Sequence, residues 1–325
     1  MTLVASLLIA ALGCAGVIWL MLRFYAARLP LDHPNERSLH AKPIPRIGGI
    51  GVLAGVVIAI AAGAAPFAPP FAIALILAGV SLIDDLHRLP PVLRLAAHLG
   101  AAAVTVWYVL SPMNAIELVL LALAIAWITN LYNFMDGSDG LAAGMTIIGF
   151  GTYALAAWLS GDTELALSCS ALAGAALGFL VFNFHPARVF LGDVGSIPLG
   201  FLAGALGIVG WMGDVWPLWF PVLVFAPFIG DTTLTLIRRA VRRERVWEAH
   251  REHYYQRMVQ MGLGHRGTAY VAYALMAGCG AAAFYGRDET LAVQLGVLAA
   301  ALAVLVAVAA WIDWRWFRHI HRDAR

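Results

Sequence analysis

The chain has 325 residues, of which 62% are hydrophobic and only 12% carry a charged side chain. Globular soluble proteins are about 45–50% apolar and about 25% charged, so this composition excludes a soluble protein and indicates an integral membrane protein. The formal net charge is only +2, which gives no reason to expect a nucleic-acid partner and makes the position of each charge more informative than the sum.

Eleven apolar segments are long enough to cross a bilayer, because a spanning helix needs roughly 20 mostly apolar residues. The segments are uniformly apolar, which predicts helices and excludes a β-barrel. Arg23 and Arg28 follow the first segment instead of preceding it, so a cleaved signal peptide is not expected. The predicted spans lie near residues 3–23, 47–65, 67–83, 95–110, 116–133, 141–159, 165–182, 197–211, 215–237, 268–285 and 291–312.

The predicted fold is therefore an all-α polytopic membrane protein, with residues 1–325 forming a single integral membrane domain. Of its 21 lysines and arginines, all except Arg287 fall in alternate segments between the spans or in the C-terminal tail. The positive-inside rule then places the N-terminus in the periplasm and the C-terminus in the cytoplasm. We expect the active face to consist of the cytoplasmic loops near residues 24–46, 84–94, 133–140, 183–196 and 238–267.

Aspartates recur where the predicted spans meet these loops: Asp84, Asp85, Asp136, Asp139 and Asp193. A single aspartate at a helix end is more often a solvated cap than a ligand, but five carboxylates at one membrane face would repel one another. A divalent cation relieves that repulsion, and oxygen ligands completed by substrate phosphates suit Mg²⁺, with Mn²⁺ as an alternative. Mg²⁺ together with phosphates indicates phosphoryl transfer.

Basic and glycine-rich segments flank the same loops. Most arginines after residue 238 need no role beyond orientation and contact with anionic headgroups of membrane lipids. The segment GDVGS, residues 192–196, begins a predicted span and leaves backbone N–H groups free to face an anion. His250 and His253 are three residues apart, as in a helical metal pair, but a zinc site usually needs three protein ligands and no third is evident.

The stretch NLYNFMDGSDGLA carries Asn130, Asn133, Asp136 and Asp139 at every third position. A helix would set these four side chains along one side. The alternative is a polar helix end that stops at the glycines. In either case, the stretch lies on the predicted cytoplasmic face.

Together these motifs resemble the polyprenyl-phosphate N-acetylhexosamine-1-phosphate transferase superfamily. The resemblance covers residues 32 to about 264 and includes DHPNERSLHAKPIPRIGG, DDLHR, NFMDGSDGLA, NFHPARVFLGDVGS and the late histidine-containing loop. It implies a Mg²⁺-dependent enzyme of the bacterial inner membrane whose active site faces the cytoplasm. Such an enzyme transfers a hexosamine 1-phosphate from a UDP-N-acetylhexosamine to undecaprenyl phosphate and releases UMP, as the first step of a cell-surface polysaccharide.

The resemblance also implies residue roles. Asp84 and Asp85 resemble the carboxylates of the lipid-phosphate and metal site, and either is a candidate base. Asp193 resembles the main Mg²⁺ ligand, with Asp85 as a second ligand, and His253 resembles the first histidine of the last loop, a candidate catalytic residue. The expected substrate-binding residues are Lys42, Arg46, Asn133, Asp136, Asp139, Asn183 and Phe190, of which Phe190 is expected to stack near the uridine.

Two departures from the family pattern bear on the branch. The last loop reads HREHYYQRM where the peptidoglycan branch clusters histidines, and DDLHR ends in Arg88 where many members have lysine. Both are similar to the O-antigen or surface-polysaccharide branch. The sugar stays open, a homodimer is compatible with the sequence, and two other hypotheses remain: a polytopic transporter with cation- or proton-coupling carboxylates, and an inert scaffold or lipid-binding subunit.

Overall fold

The computed structural model describes residues 2–34, 38–40, 42–110, 114–246, 248 and 250–323. Most of these residues are helical. The helices are α1 (Leu3–Phe24), α2 (Gly48–Ala61), α3 (Pro69–His87), α4 (Pro91–Leu110), α5 (Ala115–Phe134), α6 (Leu141–Leu159), α7 (Thr163–Asn183), α8 (Asp193–Met212), α9 (Trp219–Val224), α10 (Ala226–Val241), α11 (Tyr254–Met258), α12 (Gly264–Gly286) and α13 (Leu291–Asp323). The short strands β1 (Leu31–Asp32) and β2 (Ile44–Pro45) pair antiparallel in the first polar loop.

Among the described residues, nine helical segments are long and apolar enough to cross a membrane. They coincide with nine of the predicted spans, which confirms the all-α polytopic fold. The predicted span 47–65 contains only the 14-residue helix α2. The predicted span 215–237 is divided into α9 and α10 at Phe225, just before Pro227, because proline lacks an N–H and clashes with the preceding turn. The orientation of the termini remains a prediction.

The centre of the bundle is formed by α6, α7 and α8. In their most apolar stretches, 67%, 78% and 83% of the residues of α6, α7 and α8 are buried. The corresponding share in α13 is 6%, so α13 lies at the lipid-facing periphery. Helices α1 and α7 approach closely, since a Cβ on Gly174 would lie 2.1 Å from the Leu7 carbonyl oxygen. Small residues at such contacts are what membrane helices use to bring their backbones together.

The beginnings of α2 and α8 lie side by side and position the polar residues that precede and open these helices. The Gly48 N–H donates to the Phe190 carbonyl at 2.9 Å. Gly192 caps α8 with a φ of 72°, a left-handed conformation that glycine adopts without strain. This arrangement places Arg46, two residues before α2, next to Asp193, the first residue of α8.

Candidate active site

A polar cavity of about 850 Å³ lies at one end of the bundle. It is lined by described residues of five polar segments, within 31–46, 84–94, 133–138, 183–193 and 246–256, and by Leu236 of α10. We call this end the arginine-rich end. The volume is within the range of about 300–1,000 Å³ that small-molecule sites occupy. Nine of the eleven predicted site residues line it: Arg46, Asp84, Asp85, Asn133, Asp136, Asn183, Phe190, Asp193 and His253.

Several carboxylates in the cavity share one guanidinium group. Arg46 Nη2 lies 3.2 Å from Asp193 Oδ1, and Arg46 Nη1 lies 3.9 Å from Asp85 Oδ1. Burial alone would lower the pKa of Arg46, but the surrounding carboxylates, with Asp193 first and Asp32 next, outweigh it and raise this pKa. One positive group therefore faces an excess of negative charge, and the cluster favours a further cation.

Asp136 belongs to the same cluster. It lines the cavity together with Gly192 and Asp193. Burial raises the pKa of Asp136 to about 8, and the nearby Asp193 adds to the effect, while Arg46 opposes it. At neutral pH this carboxyl group is therefore poised to hold a proton or to pair with a bound cation.

The neighbours Asp84 and Asp85 have different environments. Asp84 accepts the N–H of Leu89 at 2.7 Å and an Nη1–H of Arg94 at 3.1 Å, and its side chain is 13% exposed. The Asp85 side chain is 33% exposed and faces Arg46. Asp84 thus has its hydrogen-bond donors within the protein, whereas Asp85 is open to a ligand beside Asp193.

The stretch that contains Asn133 and Asp136 is a helix end followed by a turn. Helix α5 ends at Phe134, and Gly140, with a φ of 74°, caps the N-terminus of α6. Of the four polar residues expected along one side of a helix, only Asn130 and Asn133 lie on α5, and Asp136 and Asp139 follow it. Asn133 Oδ1 accepts a hydrogen bond from Ser196 Oγ at 2.8 Å, which links α5 to the start of α8.

Asn183 and Asp139 use their polar atoms inside the scaffold. The buried Asn183 accepts the Gly140 N–H at 2.9 Å and donates to the Val189 carbonyl at 3.0 Å. Asp139 Oδ2 accepts the Ala187 N–H at 3.1 Å and lies 2.7 Å from His185 Nδ1. In the described part of the chain, Asp139 and the exposed Lys42 do not line the cavity.

His253 is held by a residue that the sequence analysis missed. Asp231 Oδ1 lies 3.1 Å from His253 Nδ1 and accepts the Tyr254 N–H at 2.9 Å, and Oδ2 accepts the Tyr255 N–H at 2.9 Å. The carboxylate both caps α11 and orients the imidazole. The signal was available, because Asp231 is an acidic residue inside the predicted span 215–237, and intramembrane carboxylates are usually functional.

Ion pairs surround the loop that carries His253. Asp313 on α13 accepts both Nη groups of Arg238, at 2.5 and 2.6 Å, and one from Arg257 at 3.0 Å. The other members of this network are Arg239, Arg242, Glu244 and Glu252. Burial lowers the pKa of the adjacent His250 to about 4, so that imidazole is neutral at pH 7.

The donor set limits the kind of metal that fits. Across the described ranges, no three histidine, cysteine or acidic side chains lie at metal-ligand spacing. Asp193 and Asp85 nevertheless converge on one guanidinium, a cation held by two carboxylates. Mg²⁺ is commonly bound through one or two carboxylates, with phosphates and waters completing its coordination shell. The residues therefore fit a Mg²⁺ ion whose remaining ligands come from a substrate and water.

Comparison with known proteins agrees with this site. The family model for glycosyl transferase family 4 matches residues 67–211. A probable undecaprenyl-phosphate N-acetylglucosaminyl 1-phosphate transferase of Bacillus subtilis (strain 168) is 34% identical over 265 residues, 75% of this chain and 74% of the relative. A decaprenyl-phosphate N-acetylglucosaminephosphotransferase of Mycobacterium tuberculosis (strain ATCC 25618 / H37Rv) is 30% identical over 344 residues, 87% of this chain and 84% of the relative.

A shorter match covers 28% of this chain and 28% of a phospho-N-acetylmuramoyl-pentapeptide-transferase of Geobacillus thermodenitrificans (strain NG80-2), with 48% identity over 91 residues. The first two matches extend over most of both chains. Because relatives of at least 30% identity match three quarters or more of this chain, the chain belongs to the polyprenyl-phosphate N-acetylhexosamine-1-phosphate transferase superfamily.

Proposed function

We propose that this protein transfers an N-acetylhexosamine 1-phosphate from a UDP-sugar to a polyprenyl phosphate, with undecaprenyl phosphate as the expected acceptor. The products are a polyprenyl-diphosphoryl sugar and UMP. The observation that carries the proposal is the convergence of Asp85 and Asp193 on Arg46, with Asp136 beside them in the same cavity, in a chain that belongs to this family.

The reaction forms one phosphorus–oxygen bond and breaks another. An oxygen of the acceptor phosphate attacks the β-phosphorus of the UDP-sugar, and the bond from that phosphorus to the bridging oxygen breaks, so the bridging oxygen leaves with UMP. A phosphate monoester has a second pKa of about 6 and is mostly dianionic at neutral pH. Asp84 or Asp85 therefore has only a residual proton to accept, and positioning outweighs base strength.

The site residues divide the remaining tasks. Asp193 and Asp85 would hold Mg²⁺, which supplies neutralisation of the diphosphate charge when it is bound. Arg46 lies beside both carboxylates and is placed to contact the same phosphates. The ring of Phe190 lines the cavity and offers a face for the uracil base. His253, fixed through Nδ1 by Asp231, keeps Nε2 for a ligand.

The donor and the pathway are part of the proposal. Two relatives are named for N-acetylglucosamine transfer, which makes UDP-N-acetylglucosamine the first donor to test. The loop HREHYYQRM supports initiation of an O-antigen or other surface polysaccharide. The distribution of lysine and arginine supports a bacterial inner-membrane location with the cavity facing the cytoplasm.

Detergent-purified protein with Mg²⁺, undecaprenyl phosphate and a panel of UDP-sugars tests the proposal, with UMP release as the readout. We expect release with one N-acetylated sugar and its loss in Asp193→Asn. Asp288→Asn, which changes an exposed aspartate that pairs with Arg287, is the matched control and should keep full activity. No UMP with any sugar, or full activity in Asp193→Asn, would overturn the proposal, and substrate flux in proteoliposomes without UMP would support a transporter.

A further inference from the structure

We infer that His265 is a positioning residue that joins three segments of the arginine-rich end and fixes the donor side of the cavity. His265 belongs to the first turn of α12, far in sequence from the motifs that line the cavity. The inference rests on the proposed function in one respect only, which is that the ligand of this wall is a UDP-sugar.

The imidazole connects the first polar loop to the turn after α5. The Asp139 N–H donates to His265 Nδ1 at 3.3 Å, and Ser138 Oγ lies 2.9 Å from the same nitrogen. Because Nδ1 accepts from a backbone N–H, the ring proton resides on Nε2. His265 Nε2 then donates to the Leu39 carbonyl at 3.3 Å.

A third segment joins through ring stacking. The His265 ring lies nearly parallel to the His185 ring, with centroids 5.3 Å apart and an interplanar angle of 10°. His185 in turn contacts Asp139 Oδ2 at 2.7 Å. The His265 side chain is only 12% exposed. One nearly buried imidazole thus holds together the loops that carry Leu39, Ser138 and His185.

These contacts set the shape of the cavity wall. Leu39, Ser138 and His40 all line the cavity. The ring of His40, the residue after Leu39, packs edge-on against Phe190 with centroids 4.9 Å apart. The link through His265 therefore determines how far the wall containing His40 and Phe190 stands from the turn containing Ser138. The carboxylates around Arg46 are held by other contacts, so loss of the link should weaken donor binding more than the chemical step.

Hydrogen–deuterium exchange of the detergent-purified protein tests the link directly. His265→Ala should increase exchange in both peptides, residues 38–46 and 136–140. In His265→Asn, the amide lies near the Nδ1 position and should protect 136–140 only. In His265→Gln, it lies near the Nε2 position and should protect 38–46 only. His321→Ala, which removes an exposed imidazole on α13 bonded to the Phe317 carbonyl, should change neither peptide.

Steady-state kinetics separates positioning from a general structural role. Because it removes the hydrogen bonds at both ring nitrogens, His265→Ala should raise the KM for UDP-N-acetylglucosamine about tenfold. The KM for undecaprenyl phosphate and kcat should change less than about twofold, because other contacts hold the carboxylates around Arg46. A purely structural defect would instead lower the amount of active protein without a selective change in the KM for the donor.

Three outcomes decide the inference. Wild-type exchange in both peptides of His265→Ala, or an equal rise of both KM values, would overturn it. If His265→Ala fails to fold, the opposite exchange patterns of the asparagine and glutamine variants decide, and identical patterns in the two would overturn it. A wild-type protein that releases no UMP would overturn the proposed function, while the exchange result would still decide the role of His265.

Discussion

The carboxylates at the arginine-rich end form two groups that differ in how completely the protein supplies their hydrogen-bond donors. Asp139, Asp231 and Asp313 each have two or more donors from histidine, arginine or backbone N–H groups. Asp85 and Asp193 share Arg46, and burial raises the pKa of Asp136. A buried charge without enough donors costs stability, so the first group holds the loops and the second is available to a ligand.

The neighbours Asp84 and Asp85 show this division within one turn of helix. Successive residues of an α-helix are rotated by about 100° about its axis, so the two carboxylates cannot face the same surroundings. Asp84 is bound to Arg94 and to the Leu89 N–H, and Asp85 faces the cavity. The comparison assigns the scaffold role mainly to Asp84 and the ligand role to Asp85.

The largest expected effect therefore separates these two residues. Asp85→Asn should lower kcat for UMP release on the order of 10³-fold, since it removes a charge that faces the reacting phosphates, and the melting temperature should not fall. Asp84→Asn should lower kcat only about tenfold, and it should lower the melting temperature because Arg94 loses a charged partner. Equal losses of activity with equal melting temperatures would break the division between the two groups.

The second prediction concerns Asp231. Asp231→Asn should lower kcat about 10²-fold, because one carboxylate oxygen becomes an NH₂ group that opposes a backbone N–H of Tyr254 or Tyr255, and the imidazole of His253 loses its negatively charged partner. Gln256→Ala is the matched control, since Gln256 Oε1 accepts the backbone N–H of His253 at 3.2 Å but does not hold the imidazole ring. That control should lower the melting temperature and leave kcat within about threefold. Similar kcat losses in both variants would show that only the cap of α11 matters.

The fold was largely predictable from the sequence, because uniformly apolar segments of about 20 residues have few alternatives in a bilayer. The exceptions are local. The span 215–237 breaks at Phe225, because Pro227 cannot continue the preceding helix. Helix α2 has only 14 residues and ends shortly before Gly63, which adopts a φ of 68°, so it stops before the apolar run does.

The convergence of the predicted site residues on one cavity was predictable from the sequence, and the contacts that each residue makes there were less so. Motif spacing brought Asp85, Asp136 and Asp193 to one face, and the structure places them in one cavity. Motif spacing gave no indication that Asn183 would use both side-chain polar atoms within the scaffold. It also passed over His265, because a tie between loops depends on contacts between residues 126 and 226 positions apart in the chain.

A third prediction uses the raised pKa of Asp136. The pKa of about 8 in the folded state lies above the value of about 3.9 for an unfolded chain. The folded state therefore binds more protons, and wild-type stability falls as the pH rises from about 4 to about 8. Asp136→Asn has no charge to bury, so in the presence of a chelator its melting temperature should exceed that of the wild type by several degrees at about pH 9 and by little at about pH 5.

Differential scanning fluorimetry of both proteins at the two pH values measures this difference. Asp288→Asn, at an aspartate whose side chain is 73% exposed, should show no pH-dependent gain. The same gain at both pH values in Asp136→Asn would mean that packing, and not ionisation of this carboxyl group, sets its effect on stability.

The smallest effect on activity is expected at Asp313, the scaffold carboxylate on α13. Its bonds to Arg238 and Arg257 tie the lipid-facing helix to α10 and α11. Asp313→Asn should lower the melting temperature by a few degrees, because the nearly buried Arg257 loses a charged partner. UMP release by the folded fraction should change less than about threefold, since Asp313 is absent from the cavity lining. This is the reverse of the pattern expected for Asp85→Asn. A loss of kcat at Asp313 comparable to that at Asp85, at an unchanged melting temperature, would show that complete neutralisation does not mark a carboxylate as scaffold.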